Sequence, residues 1–272
     1  MSYEWIMYEK LERVARITMN RPEKLNALSV PLQDEIVDAA KDAEADPDIH
    51  VVVIRGAGRA FSAGYDITPT PEGLQYRQRR TIREDISRME ETVARWAKIW
   101  NLHIPVIAQV HGYCVAGGTD LALHCDMITV ADDAQIGFPP VRAMGTPPTH
   151  MWIYSVGPQW AKRILLTGDF IDGKTAEKIG FAIQAVPAEE LDETTMRLAK
   201  RVAHIGTDLL TANKTIVNKA LELMGRSMMQ QIALETDAIS HLSPEAQEFN
   251  RISSEQGLRA ALEWRDGPFR NP

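Results

Sequence analysis

The sequence is poor in cysteine: its 272 residues include only two, Cys114 and Cys125. Their spacing matches no metal-binding pattern, so we expect two buried free thiols, with neither a disulfide nor a metal site. No apolar run reaches the length of a membrane span, and the N-terminal stretch carries acidic residues without the apolar core of a secretory signal. These absences predict a soluble cytoplasmic protein.

The chain also lacks an excess of basic residues. Its 30 lysines and arginines are outnumbered by 37 aspartates and glutamates, which gives a net charge of −7. This balance argues against a nucleic-acid-binding surface, although it leaves room for a local basic patch that meets an anionic ligand. A hydrophobic content of 44% and a charged content of 25% are ordinary for a globular protein.

Strand-like and helical patterns alternate in the first part of the chain. A helical pattern begins near Pro31 and ends before Asp46-Pro47. The branched apolar run Val51–Ile54 follows and predicts a buried strand. This alternation implies an α/β layer structure.

Helical patterns dominate the later part of the chain. Long helices are predicted over Leu74–Trp100 and Pro244–Trp264. Because the composition becomes mainly helical near residue 200, we divide the chain into a core (residues 1–200) and a C-terminal helical region (residues 201–272).

The most informative stretch is residues 105–126, which is predicted to run from a strand through a glycine turn into a helix. Gly112, Gly117 and Gly118 cluster in the turn, so the main chain can approach a ligand where the first helical amides have no intrahelical partners. Such a turn suits an anion or a developing oxyanion. Taken alone, the turn is also typical of plain α/β architecture, and Asp120 is typical of a dipole-stabilising carboxylate.

A second glycine-rich turn lies upstream, at Ser62-Ala63-Gly64 within RGAGRAFSAGYDI (residues 55–67). Together the two stretches resemble the enoyl-CoA hydratase/isomerase family, also called the crotonase superfamily. AFSAGYDI is similar to the first oxyanion motif of that family, and HGYCVAGGTDLALHCD is similar to the second. Further similar stretches extend from NRPEKLNALS near the N-terminus to SEQGLRAALEWRDGPF near the C-terminus. The resemblance therefore covers nearly the whole chain.

The resemblance implies a fold and an assembly. Members of the family build a spiral core of ββα turns and pack a C-terminal helical region into trimers, which often pair into hexamers. The predicted C-terminal helices also carry recurring apolar faces, so we expect at least a trimer. The implied substrate is an acyl-CoA thioester, which brings coenzyme A to the site without a permanently bound cofactor. No nucleic-acid or membrane partner is expected.

The resemblance also implies which residues bind the substrate. Two backbone amides, which belong by motif position to Ala63 and Gly117, would hold the thioester oxygen as negative charge develops on it. Asp66 would turn the chain beside coenzyme A, and Lys24–Ala27 match a loop on the adenine side. The predicted binding residues are Lys24, Ala27, Ala63, Gly64, Tyr65, Asp66 and Gly117.

The sequence departs from the family pattern at the catalytic pair. Family hydratases hold and activate a water with two glutamates. Here the first position is Asp120 and the second is Pro140, which cannot transfer a proton. The following loop looks shorter than the glycine-rich loop of typical hydratases. It carries His150, a residue type whose ordinary pKa suits acid/base catalysis. The alternative for His150 is a structural role. Tyr65 is a further polar candidate, and its alternative role is packing against the ligand.

Three hypotheses about function follow. The first is a 2-enoyl-CoA hydratase-like lyase, in which Asp120 is the surviving carboxylate and its partner is unidentified. The second is another reaction on the same enolate platform: double-bond isomerisation, thioester hydrolysis or carbon–carbon bond cleavage. The third is a non-catalytic acyl-CoA-binding subunit. The predicted catalytic residues are Ala63, Gly117, Asp120 and His150.

Overall fold

The structure is a computed structural model that describes residues 3–70, 72–73, 76 and 80–270. Between residues 51 and 137, longer strands alternate with very short ones. The strands are β1 (Ile6–Leu11), β2 (Val14–Met19), β3 (Val51–Gly56), β4 (Ala60–Ser62), β5 (Val106–Val110), β6 (Tyr113–Val115), β7 (Met127–Ala131), β8 (Gln135–Gly137) and β9 (Gln184–Val186).

These strands form two sheets. The six-stranded sheet has the order β1-β2-β3-β5-β7-β9, and every neighbouring pair except β1 and β2 is parallel. The three-stranded sheet has the order β4-β6-β8 and is parallel throughout. After each of β3, β5 and β7, the chain crosses to the small sheet for one short strand and then continues outside both sheets. This repeated step confirms the predicted ββα spiral.

Helices cover the sheets and dominate the C-terminal part of the chain. They are α1 (Val30–Ala45), α2 (Ile82–Trp100), α3 (Gly117–Leu123), α4 (Trp152–Leu165), α5 (Gly173–Ile179), α6 (Leu191–Ala203), α7 (Thr207–Leu223), α8 (Arg226–Ser240), α9 (Pro244–Gln256) and α10 (Leu258–Asp266). Two of them position the site described below. α2 packs on α1 and on α8, and α3 begins at the second glycine turn.

The sequence explains where α1 begins and ends. The Ser29 hydroxyl accepts a hydrogen bond from the Leu32 N–H, and Pro31 occupies the first turn, where a missing N–H is tolerated. The helix ends at Ala45, just before the predicted break. Its buried apolar positions recur at helical spacing and join the main core. They include Leu32, Ile36, Ala39, Ala40 and Ala43.

Two predicted helices are not continuous. The prediction over Leu74–Trp100 is wrong at Arg80 and Thr81, because Thr81 and Glu84 form a capping box that starts α2 at Ile82. Residues 74–75 and 77–79 of that prediction lie outside the described residues. The predicted helix Pro244–Trp264 is divided into α9 and α10 by Gly257, whose φ of +89° cannot continue an α-helix.

The part of the chain that packs on the large sheet extends a little beyond residue 200. That residue lies inside α6, and Ala199 and Ala203 of this helix pack against Val51 and Ile107 of the sheet. Contact with this sheet therefore continues to the end of α6. The functional division at this point stays a prediction.

The structure describes both cysteines of the chain. Cys114 in β6 and Cys125 after α3 are both buried and free, which confirms the predicted thiols. Burial raises the pKa of both, so they are neutral. Every helix within residues 3–70 and 80–270 is too short or too polar to span a membrane.

Candidate active site

The two predicted glycine turns lie side by side. Strands β4 and β6 pair in parallel, so the turns that follow them leave the small sheet at the same edge. A Cβ added at Gly64 would lie 2.9 Å from the Val115 carbonyl oxygen and 3.2 Å from the Gly117 nitrogen. Gly64 also has a φ of +99°. A larger residue would be strained and would separate the two turns, so this position requires glycine.

The Ala63 amide, the first predicted oxyanion donor, is occupied. Its N–H donates to the Leu25 carbonyl oxygen at 2.9 Å, which contradicts the prediction that it is open to a ligand. The amide of Tyr65 is available instead, since no acceptor for its N–H lies in the part of the chain that the structure describes.

The backbone around Gly64 explains why Tyr65 and not Ala63 has the open amide. The Gly64 carbonyl accepts from the Leu28 N–H at 2.8 Å, and the Asp66 N–H donates to the Leu28 carbonyl at 3.3 Å. In an extended chain successive N–H groups point to opposite sides, so the Tyr65 N–H between these two bonds points away from Leu28. The positive φ of Gly64 interrupts this alternation and turns the Ala63 N–H toward Leu25.

The Gly117 amide, the second predicted donor, is open as expected. Gly117 is the first residue of α3, where N–H groups lack intrahelical acceptors, and no described residue accepts from it. Ala116 directly before it has φ 52° and ψ −120°, a strained conformation for a residue with a side chain. The Ala116 N–H donates to the Gly137 carbonyl at 3.0 Å and helps to hold this turn. The Gly117 nitrogen also lies close to the first turn, since a Cβ added at Gly64 would be 3.2 Å from it.

Asp120 lies in the first turn of α3 and is fully buried. The Tyr65 hydroxyl donates to Asp120 Oδ2 at 2.8 Å, and the Thr149 hydroxyl donates to Oδ1 at 2.7 Å. Burial raises the pKa of Asp120 to about 7, against the lowering effect of these two donors. A carboxyl that titrates near neutrality can accept a proton and return it. The catalytic role of Asp120 stays a prediction.

Tyr65 contributes more than its amide. Its hydroxyl accepts a hydrogen bond from Trp96 Nε1 of α2 at 3.1 Å while it donates to Asp120. Its ring lies over the start of α3, since a Cβ added at Gly117 would be 2.8 Å from three ring carbons. Burial, followed by the nearby Asp120 charge, raises the pKa of Tyr65 well above its ordinary value. The side chain is therefore a neutral phenol in the working pH range.

The predicted coenzyme A-side loop lies against the first glycine turn. Arg21 Nη1 donates to the Ala27 carbonyl at 2.7 Å and to Asp66 Oδ2 at 3.0 Å, so these two predicted binding residues are tied together. Lys24 ends a short 3₁₀ turn (Pro22–Lys24) and is exposed at the edge of this loop. Its predicted contact with coenzyme A phosphates stays a prediction.

His150, the predicted acid/base residue, is not among the groups that contact Asp120. Its neighbour Thr149 makes that contact. The His150 side chain is half-buried and forms no hydrogen bond with the residues described, and its backbone φ is 38°. Burial lowers its pKa, which favours a neutral ring. The catalytic role of His150 stays a prediction.

A cluster of Asp85, Asp237 and His241 contacts the segment that carries Thr149. Asp237 of α8 accepts from the Thr146 N–H at 2.7 Å, and His241 Nε2 lies 3.6 Å from Asp237 Oδ1. His241 Nδ1 contacts Asp85 of α2 at 2.6 Å. Burial raises the pKa of Asp237 to about 6. The cluster thus connects α2, α8 and the segment before α4, and it fixes the backbone that presents Thr149.

Known proteins match this chain over nearly its whole length. The family model described as enoyl-CoA hydratase/isomerase matches residues 9–272. The chain belongs to the enoyl-CoA hydratase/isomerase family. A probable enoyl-CoA hydratase of Mycobacterium bovis is 33% identical over 226 residues, which cover 82% of this chain and 84% of the relative. The crotonyl-CoA hydratase of Syntrophomonas wolfei is 30% identical over 275 residues, with 99% of each chain covered.

A solved structure confirms the fold of this family member. The crystal structure of enoyl-CoA hydratase from Mycobacterium smegmatis matches with a TM-score of 0.92 at 36% identity. The match covers 97% of this chain and 94% of that chain. The predicted family and its spiral fold with C-terminal helices are therefore confirmed, and the chain is an enzyme of this family.

Position 140 is where this enoyl-CoA hydratase/isomerase family member departs from the hydratase pattern. Pro140 lies in a 3₁₀ turn (Pro139–Arg142), and its carbonyl oxygen accepts from the N–H groups of residues 143–145 at 3.1, 2.7 and 3.1 Å. The residue therefore shapes the turn and has no group that can transfer a proton. The site has the single carboxyl of Asp120 where the family pattern has two.

Sequence reasoning missed three contributors to the site. Trp96 was visible only as one residue of an arginine-rich helix, although its apolar character in that setting is a signal of burial. Thr149 stands beside the predicted His150 and has no motif of its own. Asp237 is an acidic residue on an otherwise ordinary helical stretch, and only the structure brings it under the Thr146–Thr149 segment.

Proposed function

We propose that the protein hydrates a 2-enoyl-CoA thioester or a close relative of it. The observation that carries this proposal is the pair of open amides, Tyr65 and Gly117, beside the buried carboxyl of Asp120. Open amides without protein acceptors provide fixed donors for a thioester oxygen. A carboxyl whose pKa burial raises to about 7 provides a group that can both accept and give a proton.

The proposed reaction follows from this arrangement. The oxygen of a water molecule bonds to C3, and the electrons of the C2–C3 double bond move toward the thioester carbonyl. Its oxygen gains negative charge, which the amides of Tyr65 and Gly117 stabilise. Asp120 accepts the proton that the water releases and returns it to C2. Loss of one such oxyanion donor typically lowers the rate about 10²- to 10³-fold.

Double-bond isomerisation is the second candidate, and Pro140 is the observation that favours it. A single carboxyl can remove a proton from C2 of a 3-enoyl-CoA and return it to C4. This reaction uses the same oxyanion site but no bound water, so it does not need a second carboxylate. Asp120 alone is sufficient for it.

The test is a substrate panel with purified protein. Crotonyl-CoA and a longer 2-enoyl-CoA report hydration through loss of the enoyl absorbance, and a 3-enoyl-CoA reports isomerisation through its gain. Release of free thiol reports thioester hydrolysis in the same samples. Asp120→Asn is the matched variant, and its rate should fall at least about 10²-fold. Tight acyl-CoA binding with no turnover of any thioester would contradict the proposed activity and favour a binding subunit.

We also propose that the protein assembles as at least a trimer through its C-terminal helices, and that coenzyme A enters only as part of the substrate. Exposed apolar side chains recur along α7 and α8, more than an isolated helical region leaves to solvent. They include Leu209, Ile216, Val217, Leu223, Met228 and Ile232. Light scattering of dilute protein should give the mass of three chains or six, and a stable soluble monomer would contradict the proposal.

A further inference from the structure

A continuous chain of hydrogen bonds leads from the helix α2 to the carboxyl of Asp120. Trp96 Nε1 donates to Tyr65 Oη at 3.1 Å, and Tyr65 Oη donates to Asp120 Oδ2 at 2.8 Å. Thr149 Oγ1 donates to the other carboxylate oxygen at 2.7 Å. The four residues come from four separate parts of the chain. The arrangement is therefore a product of the tertiary fold and not of one local turn.

The direction of these bonds is fixed by chemistry. An indole N–H can only donate, so Trp96 occupies a lone pair of the Tyr65 oxygen and leaves the phenolic hydrogen for Asp120. Two hydroxyl donors, one on each oxygen, match an ionised carboxylate, which accepts and does not donate. A carboxylate oxygen has more than one lone pair, so each oxygen can still accept a proton from substrate or water.

Tyr65 also links this chain to the oxyanion site. Its N–H is one of the two open amides, and its ring lies over Gly117, which supplies the other. The position of the thioester oxygen and the position of the Asp120 carboxyl are thus set by the same residue. A shift of about 1 Å between a base and the reacting atoms can change a rate about 10²-fold, so this coupling has a functional consequence.

We propose that Tyr65 is a positioning residue: its hydroxyl, held by Trp96, orients Asp120 and stabilises its ionised form, so that one carboxyl can serve as the base without a second carboxylate at Pro140. The identity of the reaction in this proposal rests on the proposed function. The bond from Tyr65 to Asp120 can be tested without it.

The surroundings of Asp120 determine how the test must be designed. Titratable groups on the neighbouring elements are Tyr65, Cys114, His124, His150 and Asp237. Burial lowers the pKa of His124 to about 4, and burial raises the pKa of Cys114, so both are neutral near pH 7. Burial raises the pKa of Asp237 to about 6 and lowers the pKa of His150, so both groups can add their own steps to an activity profile. The Asp120 carboxyl must therefore be observed directly.

The experiment compares Tyr65→Phe with the wild type in two ways. Protein labelled with ¹³C at the aspartate carboxyls, with the Asp120 signal assigned through Asp120→Asn, gives the titration of Asp120 without substrate. The pH dependence of kcat/KM reports the same group in the free enzyme, measured through turnover of whichever enoyl-CoA the panel identifies. Loss of a hydrogen bond to the charged form should move both midpoints upward by about one unit. We expect kcat to fall at least about tenfold while KM changes by less than about threefold.

Matched variants separate positioning from packing. Tyr113→Phe removes a hydroxyl from an exposed tyrosine outside the site and should leave both midpoints unchanged. Thr149→Val removes the other donor and should move the midpoints in the same direction, whereas Thr149→Ser keeps the donor and should restore them. If Tyr65→Phe does not fold, Trp96→Phe tests the same chain, since it removes the group that holds the hydroxyl. It should give a smaller upward shift.

Each possible result decides the matter. An unchanged or lowered Asp120 titration midpoint in Tyr65→Phe overturns the proposal. If the enzyme is active, a raised titration midpoint with an unchanged pH dependence of kcat/KM also overturns it. If Trp96→Phe has to be used, an unchanged Asp120 midpoint in that variant overturns the proposal. If the wild type turns over no thioester, the proposed function fails, whereas a raised Asp120 midpoint in the substrate-free variant still supports the bond from Tyr65.

Discussion

The burial of Asp120 predicts that the wild-type protein loses stability as the pH rises toward neutrality. The ordinary pKa of this carboxyl is 3.8, and burial raises it to about 7 in the folded protein. Between these values the folded state keeps a proton that the unfolded state has released. The folded state binds more protons, so the free energy of unfolding falls with increasing pH across this window. The stabilising contribution is complete below the unfolded pKa and is lost as the pH passes through the folded one.

The size of the effect follows from the shift. A difference of roughly three units corresponds to about 4 kcal/mol, at about 1.4 kcal/mol per unit. Between pH 5 and pH 8 the wild type should lose about 3 kcal/mol of this, because the unfolded state is already largely ionised at pH 5. Asp120 is completely buried, so solvent screening does not reduce the effect. Asp237, whose pKa burial raises to about 6, adds a loss of the same sign.

The perturbation is Asp120→Asn, which keeps the shape but cannot ionise. Its stability relative to the wild type should improve by about 3 kcal/mol between pH 5 and pH 8. An altered hydrogen-bond fit to Tyr65 and Thr149 adds an offset that does not depend on pH. Chemical denaturation at several pH values, at one fixed protein concentration, measures the difference. Asp48→Asn, at an exposed position, is the control.

A difference between Asp120→Asn and the wild type that stays constant with pH would refute this reasoning. It would mean that Asp120 is ionised throughout the range and that the fold stabilises its charge. A difference of the opposite sign, in which the wild type gains stability toward pH 8, would mean that the two hydroxyl donors outweigh the burial of the carboxyl.

Two glycine substitutions test the geometry around the site. Gly64→Ala places a Cβ 2.9 Å from the Val115 carbonyl oxygen at a φ of +99°. It should lower the free energy of unfolding by about 2–4 kcal/mol and kcat/KM about 10²-fold. The control is Gly257→Ala, at a φ of +89° with no atom within 4 Å of the added Cβ, which should affect stability alone. Equal losses in both would contradict the role of close approach. Gly145→Ala would collide with Asp237 and shift the segment before α4, so thermal melting and turnover should both decline; unchanged values for both would show that the segment is not fixed there.

Periodic patterns predicted most of the fold because they follow directly from burial. The apolar run at Val51–Ile54 became the buried part of β3, and the helical pattern that begins near Pro31 became α1. The breaks inside the two long helices were missed. A capping box at Thr81 and a left-handed glycine at 257 are local signals, but a periodic apolar pattern on both sides hid them.

The candidate site was predicted only in part, since its motifs mark positions and not directions. The glycine turns and Asp120 were found from motif spacing. Which amide faces the ligand depends on the φ of Gly64 and on the bridge between Leu28 and Tyr65, and neither can be read from residue types. The partners of Asp120 come from distant parts of the chain: Tyr65 is 55 positions away in sequence. Such contacts exist only once the spiral has formed.

The crowding around Asp120 determines how the protein should respond when both hydratase carboxylates are restored. Asp120→Glu with Pro140→Glu would restore both hydratase carboxylates, but the Asp120 side chain is fully buried and both its oxygens already have partners within 2.8 Å. An added methylene has no room while the Tyr65 ring covers Gly117, and such overpacking typically costs about 1–3 kcal/mol. The double variant should therefore be less stable than the wild type and hydrate crotonyl-CoA no faster.

Removing the ring should create the space that the longer carboxylate needs. Tyr65→Ala keeps the backbone amide, so the triple variant retains both oxyanion donors and should hydrate crotonyl-CoA faster than the double variant. Tyr65→Ala alone, which removes the hydroxyl without adding a carboxylate, is the control and should be slower than the wild type. Crotonyl-CoA hydration and chemical denaturation of all four proteins measure both effects. A double variant that is as stable as the wild type and hydrates faster would show that Tyr65 does not limit the space at Asp120.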